Sequence, residues 1–300
     1  MPELPEVETI VRGLAARVTG DVIQTVWLGS KREPLKSPAA EIAATLESRR
    51  IAGVRRMGKH IVFDLEPNHA ARTISSTKRK QTGARGGEIL HSRKRVNNPA
   101  AHASPQWIVH LGMTGQMLVC RPEQEIEKHT HAIVGLASGR ELRFVDPRRF
   151  GRLSVAHGFQ TPGTEPLQID LDRFIALFRG RKTPIKSALL NQNLLRGVGN
   201  IYADESLFRA GIRPRRRAST LSRAHLAKLQ GAIKEVLREA IELGGSSVSD
   251  YVDANGDEGS FQLEHRVYGR EGEPCLVCKT PIKRIVIAGR SSHYCPKCQK

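Results

Sequence analysis

Apolar residues recur at helical spacing directly after the acidic first residues of the chain. They are Val7, Ile10, Val11, Leu14, Ala15 and Val18, and Gly20 closes the run. Because positions three and four apart lie on one face of a helix, this pattern predicts an amphipathic helix next to the amino terminus.

Between residues 22 and 156 the apolar runs become short and rich in β-branched residues, which is typical of strands. The runs are Val22–Leu28, His60–Leu65, Trp107–Leu111, Gln116–Cys120, His131–Ala137, Glu141–Val145 and Arg152–Ala156. This succession, with one helix attached, predicts an antiparallel β-sandwich or barrel.

Residues 68–106 interrupt the strand pattern, with eight Lys or Arg against one Glu and no apolar period. We expect a disordered basic insertion between two strands. It serves either as a solvated spacer or as a source of nonspecific phosphate affinity.

Helical patterning takes over after residues 157–169, whose Gly, Pro and Thr content is typical of a linker. The predicted helices are Leu171–Phe178, Lys186–Leu195, Ile201–Ala210 and Ser222–Leu243. The third follows the tight turn Gly197-Val198-Gly199-Asn200. Backbone N–H groups at a helix start favour anions such as phosphate, so the turn is a candidate phosphate site. The alternative is an ordinary glycine-rich connection between two helices that binds nothing.

Four cysteines in the last part of the chain have the spacing of a metal site. They are Cys275, Cys278, Cys295 and Cys298, in two C-x2-C pairs. Four thiolates at this spacing suit one tetrahedral Zn²⁺, with two disulfides as the alternative and His293 near enough to replace one ligand. Four cysteines already fill the metal's coordination shell, so we expect the zinc to be structural.

The predicted fold class is therefore α+β. A β-sandwich domain over residues 1–156 is followed by the linker, a helical domain over 170–270 and a zinc-finger β-hairpin over 271–300.

The charge of the chain indicates its partner. The formal net charge is +18 and the pI about 10.2 over 300 residues. Clustered Lys and Arg release counterions from a phosphate backbone, so nucleic acid is the predicted partner. An anionic membrane surface is the rival, but the sequence has neither a basic amphipathic helix of the required kind nor an apolar run of spanning length. We expect a soluble cytoplasmic protein.

A proline follows the initiator Met, with Glu3 and Glu6 close behind it. Removal of Met1 would expose a secondary amine, and an α-amino group titrates at about 7.7–8.0, so it can form a Schiff base near neutral pH. Considered alone, Pro2 is better explained as a helix-start proline. Glu6 is either an orienter of the amine or an exposed first-turn acid that complements the helix dipole.

Six motifs occur in order along nearly the whole chain. They are Pro2-Glu3-Leu4-Pro5-Glu6-Val7-Glu8, Gly58-Lys59, His110-Leu111-Gly112-Met113-Thr114-Gly115, Asp146-Pro147-Arg148-Arg149-Phe150-Gly151, Gly197-Val198-Gly199-Asn200-Ile201-Tyr202-Ala203 and Val267-Tyr268-Gly269-Arg270. Together they resemble the formamidopyrimidine-DNA glycosylase family of bifunctional base-excision repair enzymes. The basic insertion is longer than this family's connection between the corresponding strands.

The resemblance implies a catalytic amino-terminal helix on the β-sandwich, a helix-two-turn-helix in the helical domain, and one structural zinc. Pro2 would attack the deoxyribose C1′ of an oxidised purine nucleotide, and Glu3 would handle protons at the sugar and base. Lys59 would act as an acid–base helper near C1′, although outside its motif a surface lysine is the simpler explanation. Arg290 would bind the phosphate at the lesion and is linked to δ-elimination.

The same resemblance implies a set of DNA-binding residues. Positions matching backbone contacts are His129, Lys182, Lys186 and Asn200. Positions matching the residues that fill the void left by a flipped base are Met113, Arg148 and Phe150. The alternative for Met113 and Phe150 is core packing at strand ends. The Gly-rich segment 244–261 resembles the mobile loop that closes over the flipped base.

The expected partner is double-stranded DNA containing oxidised purines, bound by a monomer of bacterial, nucleoid-associated type. Two other functions stay open. One is a non-catalytic scaffold of the same fold that binds damaged DNA, and the other is excision of oxidised pyrimidines. The endonuclease VIII branch does the latter, and it shares the proline, the helix-two-turn-helix and the zinc finger.

Overall fold

The computed structural model describes residues 1–68, 104–247 and 251–300. Helix α1, Leu4–Val18, is followed by a sandwich of two four-stranded antiparallel sheets, with strand orders β1-β6-β7-β5 and β2-β3-β4-β8. The strands are β1 Ile23–Leu28, β2 Arg49–Met57, β3 His60–Pro67, β4 Pro105–His110, β5 Gln116–Cys120, β6 Thr130–Leu136, β7 Glu141–Val145 and β8 Arg152–His157. The predicted sandwich is confirmed.

The sequence pattern missed two elements of the sandwich, a second helix and a strand. The expectation of a single attached helix was therefore wrong. Helix α2, Ala39–Leu46, buries Ile42 and Leu46. Strand β2 pairs with β3 along its whole length. Charged arginines interrupt the apolar alternation of β2, so the sequence pattern did not indicate a strand. In the structure Arg55 is accommodated by an ion pair with Asp64 at the surface of the sheet.

The basic segment lies outside the described residues from 69 to 103. Its predicted end at Gln106 was too late, because β4 begins at Pro105. The Gln106 side chain donates to Asp64 Oδ1 on β3 at 2.7 Å, and its carbonyl oxygen accepts from the Phe159 N–H at the same distance.

The part of the chain after the sandwich, which we call the helical half, has four α-helices among its described residues. They are α3 Leu171–Phe178, α4 Ile185–Leu189, α5 Asn200–Ala210 and α6 Arg223–Glu242. Two short 3-10 helices, Ala218–Thr220 and Phe261–Glu264, lie before and after α6. The predicted helix Lys186–Leu195 was too long, because helix α4 already ends at Leu189. The Gln192 side chain then donates to the Val198 carbonyl and accepts from the Gly197 N–H, each at 2.8 Å. These bonds fold residues 190–199 into the turns that carry the chain to α5.

The two halves are joined by α1 and by a buried ion pair. Leu4 packs in the core of the helical half, whereas Val7, Ile10 and Leu14 pack in the core of the sandwich. In the segment predicted as a linker, Glu165 accepts two hydrogen bonds from the guanidinium of Arg56 on β2, at 2.8 and 3.1 Å. The first residues of the chain are therefore held between the two halves.

A hairpin of β9, Lys283–Ile287, and β10, Arg290–Tyr294, closes the chain and packs on α5. Its turn has Ala288 and Gly289 at φ 47° and 75°, the left-handed pair typical of a tight hairpin. Among the described helices, none combines the length and the apolar character that crossing a membrane requires.

Candidate active site

A cleft of about 690 Å³ lies between the two halves and brings together six of the predicted site residues. They are Pro2, Glu3, Lys59, Met113, Asn200 and Arg290. The fold brings to this one cleft four segments that are far apart in sequence. They are the amino terminus, the β2–β3 turn, the start of α5 and the tip of the zinc hairpin.

The first turn of α1 is fixed by a bond within the helix and by two bonds to the segment that enters α5. The Leu4 N–H donates to the Gly197 carbonyl at 3.0 Å, and the Glu3 N–H donates to Glu6 Oε2 at 2.7 Å as part of a capping box. The Ile201 N–H at the start of α5 donates to Glu3 Oε1 at 3.1 Å. Pro2, itself buried, is thereby held at the base of the cleft.

Glu3 is a buried carboxyl group whose Oε2 accepts no hydrogen bond from any residue that the structure describes. Burial raises the pKa of Glu3 to about 7, against the lowering effect of the Lys59 ammonium. Gly199 makes room for it, because a Cβ at this position would lie 2.1 Å from the Glu3 side-chain Cδ. A carboxyl group that titrates near neutral pH is suited to give and take a proton.

Glu6 is buried, so its interpretation as an exposed first-turn acid was wrong. Its carboxylate accepts from the Tyr202 hydroxyl, from the Ser246 N–H at 2.9 Å and from the Glu3 N–H. Burial raises the pKa of Tyr202 well above its usual value, with the Glu6 carboxylate adding to the effect, so this hydroxyl stays a donor. The network locks the backbone that carries Pro2.

Lys59 follows Gly58, which takes φ 60° in the tight turn between β2 and β3. The lysine is 8% exposed, so the surface interpretation does not apply. Burial lowers the pKa of the Lys59 ammonium, although Glu3 and Glu6 raise it. Burial likewise lowers the pKa of the Met1 amine, against the same two carboxylates. Both nitrogens therefore lose their protons more readily than they would in water.

The three residues matched to void filling lie on two adjacent loops at the end of the sandwich. Met113 and Phe150 are 41% and 52% exposed, so they are not core residues. The Arg148 guanidinium lies 4.9 Å from the centre of the Phe150 ring. The loops touch, since a Cβ on Gly112 would lie 2.4 Å from the Phe150 carbonyl carbon.

The four positions matched to DNA-backbone contacts differ in exposure. His129 and Lys182 are exposed, and Asn200 lines the cleft. Lys186 is completely buried, and its ammonium lies 2.6 Å from Asp204 Oδ1. The prediction of a direct backbone contact is wrong for Lys186 in this structure, because its charge is already paired inside the protein.

The described residues of the segment after α6 contact both the helical half and the sandwich. Residues 248–250 are outside the described part of the chain. The Tyr251 hydroxyl, which follows these residues, donates to the carbonyl of Gly244, which precedes them, at 3.0 Å. Ala254 is buried in the sandwich core. The Val119 N–H on β5 donates to the Ala254 carbonyl at 3.2 Å. The segment predicted as a loop over the flipped base thus has anchors on both halves.

The four cysteines at the base of the hairpin form one cluster, with all four sulfur atoms within 4.8 Å of one another. The Sγ separations are 3.9 Å for Cys275 and Cys298 and 3.4 Å for Cys278 and Cys295. A tetrahedral zinc–sulfur site with bonds of about 2.3 Å requires sulfur atoms about 3.8 Å apart, so the cluster fits one Zn²⁺. His293 is not part of it, because its Nδ1 faces Asp204 at 3.3 Å.

Sequence reasoning missed the residues that support the site rather than line it. Tyr202 and Ser246, which hold Glu6, and Asp204, which holds Lys186, were not singled out. Tyr202 was quoted within a motif, and burial of its hydroxyl required a partner. Nothing in the local pattern pointed to Asp204.

The protein has the architecture of a DNA-repair glycosylase. It is basic, and it combines a β-sandwich, a turn-rich helical half and a four-cysteine hairpin with an amino-terminal residue in its cleft. Three family models match the chain. They are the formamidopyrimidine-DNA glycosylase N-terminal domain over residues 1–153, the formamidopyrimidine-DNA glycosylase H2TH domain over 162–252, and the zinc finger found in FPG and IleRS over 272–300. The chain belongs to the formamidopyrimidine-DNA glycosylase family.

Relatives and solved structures cover the chain from end to end. The formamidopyrimidine-DNA glycosylases of Solibacter usitatus and Herpetosiphon aurantiacus are 44% and 41% identical, and each alignment covers all of both chains. The crystal structure of the MutM (Fpg) protein from Thermus thermophilus has a TM-score of 0.77 at 38% identity, covering 99% of this chain and 98% of the other. A complex of a Lactococcus lactis Fpg variant with DNA containing Fapy-dG has a TM-score of 0.82 at 30% identity, with complete coverage of both chains.

Proposed function

We propose that this enzyme removes oxidised purines, 8-oxoguanine and formamidopyrimidines, from duplex DNA through a Schiff base with Pro2 and then cuts the strand. The observation that carries the proposal is the meeting of the amino terminus, Glu3 and Lys59 in one cleft, with a carboxyl pKa of about 7. The charge of +18 supplies affinity for the phosphate backbone. The amine becomes available once Met1 is removed.

In the proposed reaction, the Pro2 nitrogen bonds to C1′ while the bond from C1′ to the base breaks, and the departing base takes up the proton that the Pro2 nitrogen loses. In the same exchange protonated Glu3 gives its proton to the sugar ring oxygen as the base leaves, and the ring opens to an iminium between the Pro2 nitrogen and C1′. Loss of a C2′ proton then expels the 3′ phosphate. Loss of a C4′ proton expels the 5′ phosphate, so the sugar is cut out of the strand. Water then hydrolyses the iminium, which frees the sugar as an aldehyde and restores the Pro2 amine without any change in net oxidation state.

The base must leave the stack before C1′ can be attacked, which costs a few kcal/mol. Met113 and Phe150 are exposed apolar side chains on touching loops, suited to enter the gap. Arg148, stacked on Phe150, has a planar guanidinium free to face the orphaned cytosine. His129, Lys182 and Asn200 would contact phosphates around the lesion, which hold register without reading sequence.

Zinc supplies no chemistry in this proposal. Bound by the four cysteines, it would hold the base of the hairpin whose tip carries Arg290 into the cleft. A closed four-thiolate shell leaves no position open for substrate.

Borohydride trapping on an abasic-site duplex tests the proposal. Protein whose intact mass shows loss of Met1 is expected to form a covalent adduct. A matched protein with an uncleaved amino-terminal extension has no Pro2 amine and is expected to form none. Absence of an adduct from the protein without Met1 would leave only the non-catalytic damage-binding scaffold.

A second substrate class has one observation in its favour. A wild-type Lactococcus lactis Fpg complex with DNA containing an oxidised pyrimidine matches this chain with a TM-score of 0.80 at 30% identity. Release rates from 8-oxoguanine and thymine glycol duplexes, measured side by side, distinguish the classes. Faster release of thymine glycol would overturn the purine assignment.

We also propose that the enzyme acts as a monomer in the cytoplasm, in contact with the nucleoid. The proposed chemistry uses the amino terminus, Glu3, Lys59 and Arg290 of a single chain, so it requires no residue from a second copy. Light scattering of the free protein and of its complex with a single-lesion duplex is expected to give one protein per particle.

A further inference from the structure

Asp204 is a buried carboxylate that contacts the zinc hairpin at three points. It is completely inaccessible to solvent. Its oxygens accept from the Ser292 hydroxyl at 3.1 Å and from the His293 N–H at 2.9 Å, and the His293 ring nitrogen lies at 3.3 Å. A carboxylate on α5 is thereby bound to the middle of β10.

Lys186 completes this contact from α4. Its ammonium lies 2.6 Å from Asp204 Oδ1 and donates to the Ser291 carbonyl at 2.5 Å. Ser291 directly follows Arg290, the residue that the hairpin presents to the cleft. The buried pair therefore holds the backbone next to Arg290 from two helices.

One face of α5 binds the hairpin along its length. Asn200 donates to the Ser291 hydroxyl at 3.2 Å, and Asp204 follows one turn later. Phe208, another turn on, packs with Cys275 and Cys295 in a small apolar cluster. Residues four apart lie on the same side of a helix, so this face is polar near the hairpin tip and apolar near the metal site.

We propose that Asp204 and Lys186 are positioning residues that set how far Arg290 enters the cleft. The inference rests on the proposed function, because its consequence is read in the elimination steps. The base of the hairpin has its own supports in the cysteines and Phe208. At the tip, Arg290 is exposed and follows a two-residue turn, so its place depends on the contacts made by Ser291, Ser292 and His293.

A buried ion pair is poor evidence of a stabilising role, since well-packed neutral residues often replace such a pair without loss of stability. Its value here is geometric. Displacement of a reacting group by about 1 Å costs on the order of 10²-fold in rate, and loss of the pair removes a helix contact from each of three consecutive residues next to Arg290.

The test compares Asp204→Asn and the double variant Lys186→Met/Asp204→Asn with the wild type on an abasic-site duplex. Because the single variant leaves the Lys186 charge buried without its partner, the double variant separates positioning from simple destabilisation. The control is Glu239→Gln, which removes an ion pair with Arg209 on α5 that does not involve the hairpin. Zinc content, borohydride-trapped adduct and the ratio of δ- to β-elimination products are measured for each protein.

In the double variant we expect retained zinc, a trapped adduct close to the wild-type yield, and a share of δ-elimination product about tenfold lower, within the range for a displaced catalytic group. The Glu239→Gln variant is expected to keep the wild-type ratio. An unchanged ratio in the zinc-loaded double variant would overturn the inference, as would failure of both Asp204 variants to retain zinc. A wild-type protein that forms no adduct would instead refute the proposed function.

Discussion

Replacing Gly199 by Ala tests whether the position of the Glu3 carboxyl group controls catalysis. Gly199 has φ −127° and ψ −159°, a conformation open to alanine, so the substitution causes no backbone strain. The added Cβ, however, would lie 2.1 Å from the Glu3 Cδ and 2.3 and 2.5 Å from its two oxygens. The flexible end of the Glu3 side chain is the atom group that must move.

The required movement is large on the scale of a reaction site. Ordinary carbon–carbon contact is about 3.5–4.0 Å, so the carboxyl carbon has to shift by more than about 1 Å. The shift also breaks the bond from the Ile201 N–H to Glu3 Oε1. Misplacement of this size costs on the order of 10²-fold in rate, equivalent to about 2.7 kcal/mol in the activation barrier.

Single-turnover release of 8-oxoguanine from a duplex measures the effect, with thermal unfolding as the check on folding. Gly231→Ala is the matched control, because Gly231 lies within α6 and a Cβ there meets nothing within 4 Å. It is expected to keep wild-type activity and to gain about 0.5–1 kcal/mol of stability. Activity of folded Gly199→Ala within threefold of wild type would refute the proton-transfer role of Glu3.

Three further predictions follow from the site. Because burial raises the pKa of Glu3 to about 7 and base release uses its protonated form, kcat/KM for release should fall as pH rises through about 7. A Glu3→Gln variant should show only low activity without that limb, and an identical limb there would assign the titration elsewhere. Phe150→Ala should slow release of a paired 8-oxoguanine about tenfold, because a wedge that offsets an unstacking cost of a few kcal/mol is lost. Cleavage at an abasic site should stay near the wild-type rate. Equal losses on both duplexes would count against a wedge. Removal of zinc by a chelator should abolish strand cleavage until zinc is restored, because Arg290 depends on the hairpin, whereas full activity at zero zinc content would exclude a structural metal.

The features that could be read from the sequence are those whose physical basis is local. Strand periodicity predicted the sandwich, and the cysteine spacing predicted the metal site, because ligands near in sequence must be near in space. Strand β2 was missed because Arg55 and Arg56 carry charges that ion pairs neutralise. Only pairing with distant acids makes such residues compatible with a strand against the core.

The amino terminus shows the limit of local reading. The motif around Pro2 predicted which residues would do the chemistry, but Glu6 was open to interpretation as a solvated helix-start acid. Its burial follows from Tyr202 and Ser246, which lie 196 and 240 positions away in the chain. Lys186 was misread for the same reason, since its partner Asp204 is on another helix.

By itself, the sequence determined most of the strands and helices and the four-cysteine metal site, and it predicted the nucleophile beside its carboxylates, because periodicity, spacing and residue chemistry are properties of neighbouring positions. Only the tertiary structure decided the protonation and placement of those groups. The pKa of Glu3 depends on burial and on Lys59, and the position of Arg290 depends on the α5 face that holds its hairpin. Desolvation and charge act through space, so their strength is set when distant segments pack together.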